Sequence, residues 1–425
     1  MKNFSIISLG CPKNLTDSEN FFSIFKQAGY QYTSIIEKAE ILLINTCGFI
    51  KDAQEESINT ILENITLKNN KLNKLIVTGC LVQRFKDELI KEIPEVDYWL
   101  DLKDFSALQN ILGTNKPIQR EILSLPHVAY LRVSDGCNNR CSYCAIPDIR
   151  GNLTSEPIEK LLDEAKILAQ KGVKELIVNA QDTSNYGYDL YGKPMLVELL
   201  YKLDELNLFK WIRLLYLHPA HLSRQMILDF SRIKSLLPYF DIPLQHINDA
   251  ILKSMNRKIS KNDTLSILQY IKELIPQAAI RTTFITGFPG EGKSEYLELK
   301  KFISEFKFTR LGVFTYSQEE GTPAYNYESQ VKKTTAQNRK DRLMAIQQQI
   351  SEEIMSSFVG KEMEVIIDKF AVETSYKYEG RSYLDAPDID GTVFITEGNA
   401  NIGDIVKVMI TDSWEYDLIA KIIND

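Results

Sequence analysis

Six cysteines, and the places where they fall, limit this chain more than any other feature of its sequence. Cys137, Cys141 and Cys144 are close together, in Asp135-Gly136-Cys137-Asn138-Asn139-Arg140-Cys141-Ser142-Tyr143-Cys144, a C-x3-C-x2-C spacing on one loop. Cys11, Cys47 and Cys80 are far apart but share a setting. Residues 4–9 form an apolar run ending in Gly10-Cys11, residues 41–44 run into Asn45-Thr46-Cys47-Gly48, and residues 75–77 run into Thr78-Gly79-Cys80. Short apolar runs that end in a glycine turn and pass into a polar helical stretch read as buried parallel strands. Each of these cysteines then sits just past the carboxyl end of a strand, on the edge of an open α/β sheet where ligands bind. Three thiols so placed can converge on one object. A closed zinc site wants four ligands, and neither group offers a fourth Cys or a nearby His. An iron–sulfur cluster held by three thiolates, with one iron open, fits the count. Three unrelated buried cysteines is the plainer alternative; the repeated strand–Cys placement argues against it.

The rest of the composition is that of a globular protein, with 44% hydrophobic and 25% charged residues over 425 positions. Disorder, collagen-like sequence and coiled coil are excluded as the main theme. No apolar run approaches the ~20 residues that span a bilayer, and the apolar stretch at the N-terminus is short for a signal peptide. The expectation is a cytoplasmic protein whose thiols are reduced and used for metal or catalysis.

Three domains are predicted. Residues 1–121 alternate short strands with amphipathic stretches at 17–26, 51–67 and 83–93, an open parallel α/β sheet. Residues 122–352 carry apolar runs at 127–133, 175–179, 211–217, 239–244, 279–286 and 310–316 separated by helical patterns, which predicts a partial parallel (βα)6 barrel with functional residues at the strand ends. Residues 353–425 change to period-2 runs between Gly and Asp turns, a small antiparallel β-barrel reached through a helix at 337–355.

Gly287-Phe288-Pro289-Gly290-Glu291-Gly292-Lys293-Ser294 matches G-x4-G-K-S, so a P-loop NTPase is a rival from another class. Pro289 removes one phosphate-binding donor, and no apolar strand ends in an Asp well placed for Mg²⁺.

The C-x3-C-x2-C loop resembles that of the radical S-adenosylmethionine (SAM) enzymes, in which the open iron chelates SAM and one electron splits the sulfonium to give a 5′-deoxyadenosyl radical. The aromatic residue before the third Cys in that family, here Tyr143, packs on the adenine. The order of a three-Cys domain, a C-x3-C-x2-C barrel and a small β-barrel is similar, over essentially the whole chain, to the methylthiotransferases. The resemblance implies two 4Fe-4S clusters, one on Cys137, Cys141 and Cys144 and an auxiliary one on Cys11, Cys47 and Cys80, and a terminal barrel of the TRAM type that helps hold the substrate. Most of that family act on tRNA adenosines; one branch acts on an aspartate of the small-subunit ribosomal protein S-twelve. Ser8-Leu9-Gly10-Cys11-Pro12-Lys13-Asn14, Asn45-Thr46-Cys47-Gly48-Phe49-Ile50, Gln181-Asp182-Thr183-Ser184-Asn185-Tyr186-Gly187, Asp241-Ile242-Pro243-Leu244-Gln245-His246 and residues 380–391 resemble the ribosomal-protein branch.

Charge bears on the choice independently. The net of −7 is not spread evenly: residues 353–425 hold 6 basic and 15 acidic residues, a net of −9, leaving +2 for the rest. An acidic terminal barrel suits a basic protein such as a ribosomal protein and is badly suited to phosphates, unless the acidity is merely solubilising. The implied reaction places a methylthio group on the aspartate β-carbon, with S-twelve, free or on the ribosome, and an electron donor as partners, no membrane, and no direct nucleic-acid binding by the acidic domain. The alternatives are a tRNA adenosine methylthiotransferase and a non-catalytic iron–sulfur scaffold. For contacts to SAM the expected residues are Gln181, Asp182, Gln245, His246 and Arg281, all at or near strand ends, with Tyr143. His246 has a structural histidine as its alternative, His218 and His221 are read as structural, and Arg140 as a SAM-positioning or locally paired group.

Overall fold

The computed structural model describes residues 2–69, 71–372 and 375–423. It has two compact units, one of Met1–Ser124, Asp135–Thr154 and Ser317–Tyr325, the other of Leu125–Ser134, Ser155–Tyr316 and Asn326–Asp425.

The first unit is built on a parallel sheet of β1 (Asn3–Ser8), β2 (Gln31–Tyr32), β3 (Ile41–Thr46), β4 (Lys74–Gly79) and β5 (Tyr98–Trp99), in the order β2-β1-β3-β4-β5. Helices α1 (Pro12–Gln27), α2 (Lys51–Ile65), α3 (Cys80–Glu92) and α4 (Phe105–Leu112) cover it, and α5 (Ile146–Arg150) belongs to the same unit. β3 is buried at every position, as a central parallel strand covered on both faces must be. Its side chains alternate between two cores. Leu42 and Ile44 pack with Val77 and Leu81, while Leu43 packs with Phe4, Phe21 and Phe25.

The second unit holds a six-stranded parallel sheet of β6 (Val128–Arg132), β9 (Glu175–Asn179), β10 (Trp211–Leu214), β11 (Leu236–Asp241), β12 (Ala279–Thr286) and β13 (Arg310–Thr315); the two-residue strands β7 (Ser134–Asp135) and β8 (Thr154–Ser155) fall between the first two in sequence. Spatial order follows sequence order from β6 to β13. The sheet therefore winds in one direction like a barrel that stays open. The helix Lys333–Ser356 leads to a closed barrel of β14 (Glu362–Phe370), β15 (Tyr378–Arg381), β16 (Val393–Glu397), β17 (Ile405–Ser413) and β18 (Leu418–Ile422). Its β16–β18 pair is parallel, so the barrel is antiparallel elsewhere only.

Buried ion pairs join the six-stranded sheet to the closed barrel. Glu175 lies between Arg213 and Arg381, at 2.7 Å from each. Arg381 also grips Asp368 through two hydrogen bonds of 2.6 and 3.1 Å, and His127 Nε2 lies 2.8 Å from the same carboxylate. Arg310 pairs with Asp385, and Arg281 with Asp390. These buried aspartates show that part of the terminal acidity is used inside the protein rather than on its surface. No described helix is long and apolar enough to cross a membrane.

Candidate functional site

Within the first unit β1, β3 and β4 are neighbours, so the three strand ends that carry Cys11, Cys47 and Cys80 lie side by side. The approach is close. Gly10 has φ +87°, and a Cβ on it would stand 2.9 Å from Cys47 Sγ. A Cβ on Gly48 would stand 2.6 Å from the backbone of Leu81. Only glycine lets these loops meet. Asn14, in the first turn of α1, ties them: Nδ2 donates to the carbonyls of Leu9 (3.0 Å) and Thr46 (2.9 Å), and Oδ1 accepts from Cys80 Sγ at 3.5 Å. Ser57 on α2 accepts from the Cys47 amide (3.0 Å) and donates to its carbonyl (2.9 Å). Burial pushes the Cys47 thiol up, and that of Cys80 to about 11. At Cys11 burial is outweighed by Lys13 and Arg150, which hold its thiol below the usual range. The charge of Cys11 raises both other thiols, as expected of groups sharing one small space. All six cysteines are free of disulfides. Three soft donors on fixed loops, without a fourth Cys or His in the set, fit a cluster with one open iron.

Cys137, Cys141 and Cys144 lie on one loop of the same unit. The Cys137 amide donates to Gly151 O and the Cys144 amide to Cys141 O, both at 3.1 Å. Arg140 closes the base of the loop, donating to Cys137 O (2.7 Å) and Asn152 Oδ1 (2.6 Å). Tyr143 is half-buried beside Cys144. The segment Ser317–Tyr325 braces both sets of cysteines. Its Glu319 pairs with Arg84, whose Nη1 also donates to Gly48 O (2.7 Å), and the Ala324 amide donates to Ser142 O (2.8 Å).

Four polar residues at this site were not expected from the sequence: Asn14, Asp17, Asp135 and Arg150. Arg150 ends α5, and its side chain is 1% exposed. It donates to Asn14 Oδ1 (2.6 Å), Asp17 Oδ2 (3.2 Å) and both oxygens of Asp135 (3.2 Å each), and its Nη2 lies 3.6 Å from Cys80 Sγ. The six-residue spacing from Cys144 was the available signal, but nothing in one sequence ties it to a Cys 70 positions away.

In the second unit, Gln181 and Asp182 follow β9, and Gln245 and His246 follow β11. Gln245 sits at φ +70° with its amide on Thr283 O (2.7 Å) and its carbonyl on the Ile285 amide (2.8 Å), so the residue is built into the edge of β12. Its Oε1 is buried with no partner among the described residues, an acceptor suited to a ligand's N–H or O–H. Asp182 accepts from Ser184 Oγ (2.7 Å) and contacts His221 Nδ1 (2.7 Å). With His218 these groups could offer three metal ligands within 4.8 Å. Within the set His221 contacts Asp182 directly and His218 Nδ1 accepts the Ala220 amide (3.2 Å), while His218 Nε2 is buried with no partner among the described residues. Burial holds His218 well below the usual histidine range.

His246 and Arg281 have other engagements. Arg281 pairs with Asp241 (2.8 Å) and Asp390 (3.3 Å). His246 is fully buried, accepts the Asn248 amide at Nδ1 (3.0 Å) and faces Glu291 at 4.0 Å. Glu291 in turn accepts the Gly287 amide (2.7 Å) and pairs with Arg339 (2.7 Å). A carboxylate thus takes the Gly287 amide that a P-loop would offer to phosphate, and Lys293 is exposed, so the NTPase reading has no cradle. Burial lowers His246 to about 4. The unfolded state therefore binds its proton first, and stability rises with pH between about 4 and 6.5. His246→Gln should remove that slope, roughly 3 kcal/mol at most, in urea titrations at pH 4.5 and 7; an unchanged slope would refute the assignment.

Residues 3–101 match the profile described as "Uncharacterized protein family UPF0004", residues 131–303 that of the Radical SAM superfamily, and residues 359–423 that of the TRAM domain. The radical SAM methyltransferase TsrM from Kitasatospora setae shares the fold, with TM-score 0.57, 12% identity and 76% and 77% of the two chains covered. Fold and site together define a radical SAM enzyme of the methylthiotransferase class. Two relatives narrow this. The ribosomal protein uS12 methylthiotransferase RimO of Sulfurihydrogenibium sp. (strain YO3AOP1) is 47% identical over 99% of this chain and 100% of its own, and that of Aquifex aeolicus (strain VF5) is 45% identical over 98% and 96%. The chain belongs to this RimO family.

Proposed function

We propose that the protein transfers a methylthio group to the β-carbon of an aspartate in the small-subunit ribosomal protein uS12. The observation that carries the reading is the pairing of a full-length likeness to RimO proteins with two separate sets of three thiols. Cys137, Cys141 and Cys144 would hold the cluster that binds SAM, and Cys11, Cys47 and Cys80 an auxiliary 4Fe-4S cluster. Bound there, the clusters and SAM supply the radical and sulfur chemistry, and the protein supplies orientation and exclusion of water.

Its own residues divide that work. Tyr143 would pack on the adenine of SAM, and Gln181, Asp182 and Gln245 would meet its polar groups. His246 and Arg281 act from behind, His246 against the Glu291 loop and Arg281 by clamping β12 to Asp241 and Asp390. The exposed acids of the terminal barrel would face a basic partner. An electron donor is required, and the proposed location is the cytoplasm. The test is anaerobic reaction of the reconstituted protein with SAM, reductant and uS12, free and in the small subunit. A mass gain of one methylthio group on an aspartate is expected; a modified tRNA adenosine, with uS12 unchanged, would move the enzyme to the sister branch.

A further inference from the structure

Arg150 is placed where no ordinary surface or packing role accounts for it. Its side chain is buried, and it touches Cys80 itself together with residues close in sequence to Cys11 and Cys137. Asn14 lies three residues after Cys11, Cys80 is itself a proposed ligand, Asp135 lies two residues before Cys137, and Arg150 follows Cys144 by six. Ala145, which caps α5, and Ile149, within it, pack against Cys80. Asp135 is further held by Lys103 and by its hydrogen bond from the Gly136 amide (3.1 Å). Burying a guanidinium is costly unless it is paired and hydrogen-bonded, and here it meets two carboxylates and an amide oxygen.

We propose that Arg150 is a positioning residue for the auxiliary cluster, acting in two ways. Its positive charge beside Cys80 stabilises the electron-rich, thiolate-ligated state, so it sets the auxiliary cluster's reduction potential. Its fork fixes Asn14 and Cys80 relative to the loop of Cys137, Cys141 and Cys144, so it holds the ligands in place. Hydrogen bonding and nearby charge at the sulfurs are the protein's levers on such clusters. The inference rests on the two-cluster reading proposed above.

The experiment uses the full chain with Cys137, Cys141 and Cys144 changed to Ala and reconstituted anaerobically, leaving only the auxiliary site. Arg150→Gln, Arg150→Lys and Asp17→Asn are added to it singly. Potentials are read by dithionite titration with mediators, and iron release by a ferrous chelator. Arg150→Gln is expected to lower the potential and speed iron release about tenfold, the low end of what outer partners of metal ligands contribute. Arg150→Lys should keep the potential near that of the parent while losing iron faster. Asp17→Asn should raise the potential, because it removes a counter-charge and leaves the arginine. A lowered potential with Gln beside an unshifted one with Lys is something a merely structural arginine would not give, and the Asp17 and Lys variants remain readable if the Gln variant fails to fold. Equal potentials across the series, or a lower one for Asp17→Asn, overturn the proposal. A parent that binds no iron would refute the auxiliary cluster itself, which is a distinguishable failure.

Discussion

Cys141→Ala is expected to lose both 5′-deoxyadenosine formation and methylthio transfer, whereas Cys47→Ala is expected to keep the first and lose the second. The difference follows from how the thiols are distributed. Cys141 belongs to the loop held by the Cys137 and Cys144 amides and by Arg140, and a site of three thiolates that loses one can no longer hold its cluster firmly. Cys47 sits at the end of β3, beside Gly10, in the separate set. Replacing it removes one sulfur and leaves the Ser57 contacts to its backbone intact. Bound iron should therefore fall by about half in each variant if each site holds one 4Fe-4S cluster. Chromatography of the nucleoside product, iron analysis and mass spectrometry of uS12 separate the outcomes. A Cys80→Ala variant that keeps its full iron and transfers the methylthio group would sink the two-cluster arrangement.

The sequence made these sites legible to different degrees, for physical reasons. Strand ends were readable because a buried parallel strand carries an apolar run, as at residues 41–44 of β3, and because the turn after it uses glycine. That placed all six cysteines correctly relative to their strands and loop. Strands β15 and β18 were not read: β15 is Tyr-Glu-Gly-Arg, and β18 is a five-residue run next to the end of the chain. Their pairing is set by barrel closure, which local pattern does not reveal. Polar partners at long range were the least legible. Arg281 was expected at or near a strand end; it is the third residue of β12 and pairs with Asp390, 109 residues away. The acidity of the terminal domain overstated its surface, since Asp368 and Asp385 are buried in ion pairs and half-buried Asp390 pairs with Arg281.

Those same ion pairs support the largest stability effect. Glu175→Gln is expected to cost roughly 3–5 kcal/mol, the usual consequence of removing one partner from a buried pair. Glu175 is fully buried at the start of β9, with Arg213 on one oxygen and Arg381 on the other. Arg213 has no exposed surface, stacks on Tyr239 at 4.6 Å and donates to the carbonyls of Tyr383 (2.9 Å) and Ser382 (3.2 Å). With Gln at position 175, Arg213 keeps only those neutral carbonyls, while Arg381 keeps Asp368. Burial alone would raise the Glu175 carboxyl, but Arg381 and Arg213 outweigh it and hold it below the usual range. With a folded value below the unfolded one, its linked stability is fully present above the unfolded value of about 4.3 and is lost as pH falls through the lower folded value. Guanidinium denaturation of the apoprotein should show the loss at pH 7 and a shallower fall on acidification than in the unaltered chain. Because Glu175 joins the six-stranded sheet to β15, limited proteolysis should also cut the variant faster near residues 356–362. A double variant, Glu175→Gln with Arg213→Met, should recover part of the loss, since it removes the charge left without its partner. Equal stability of the single variant and the unaltered chain would show that the ion pairs contribute no more than a neutral contact.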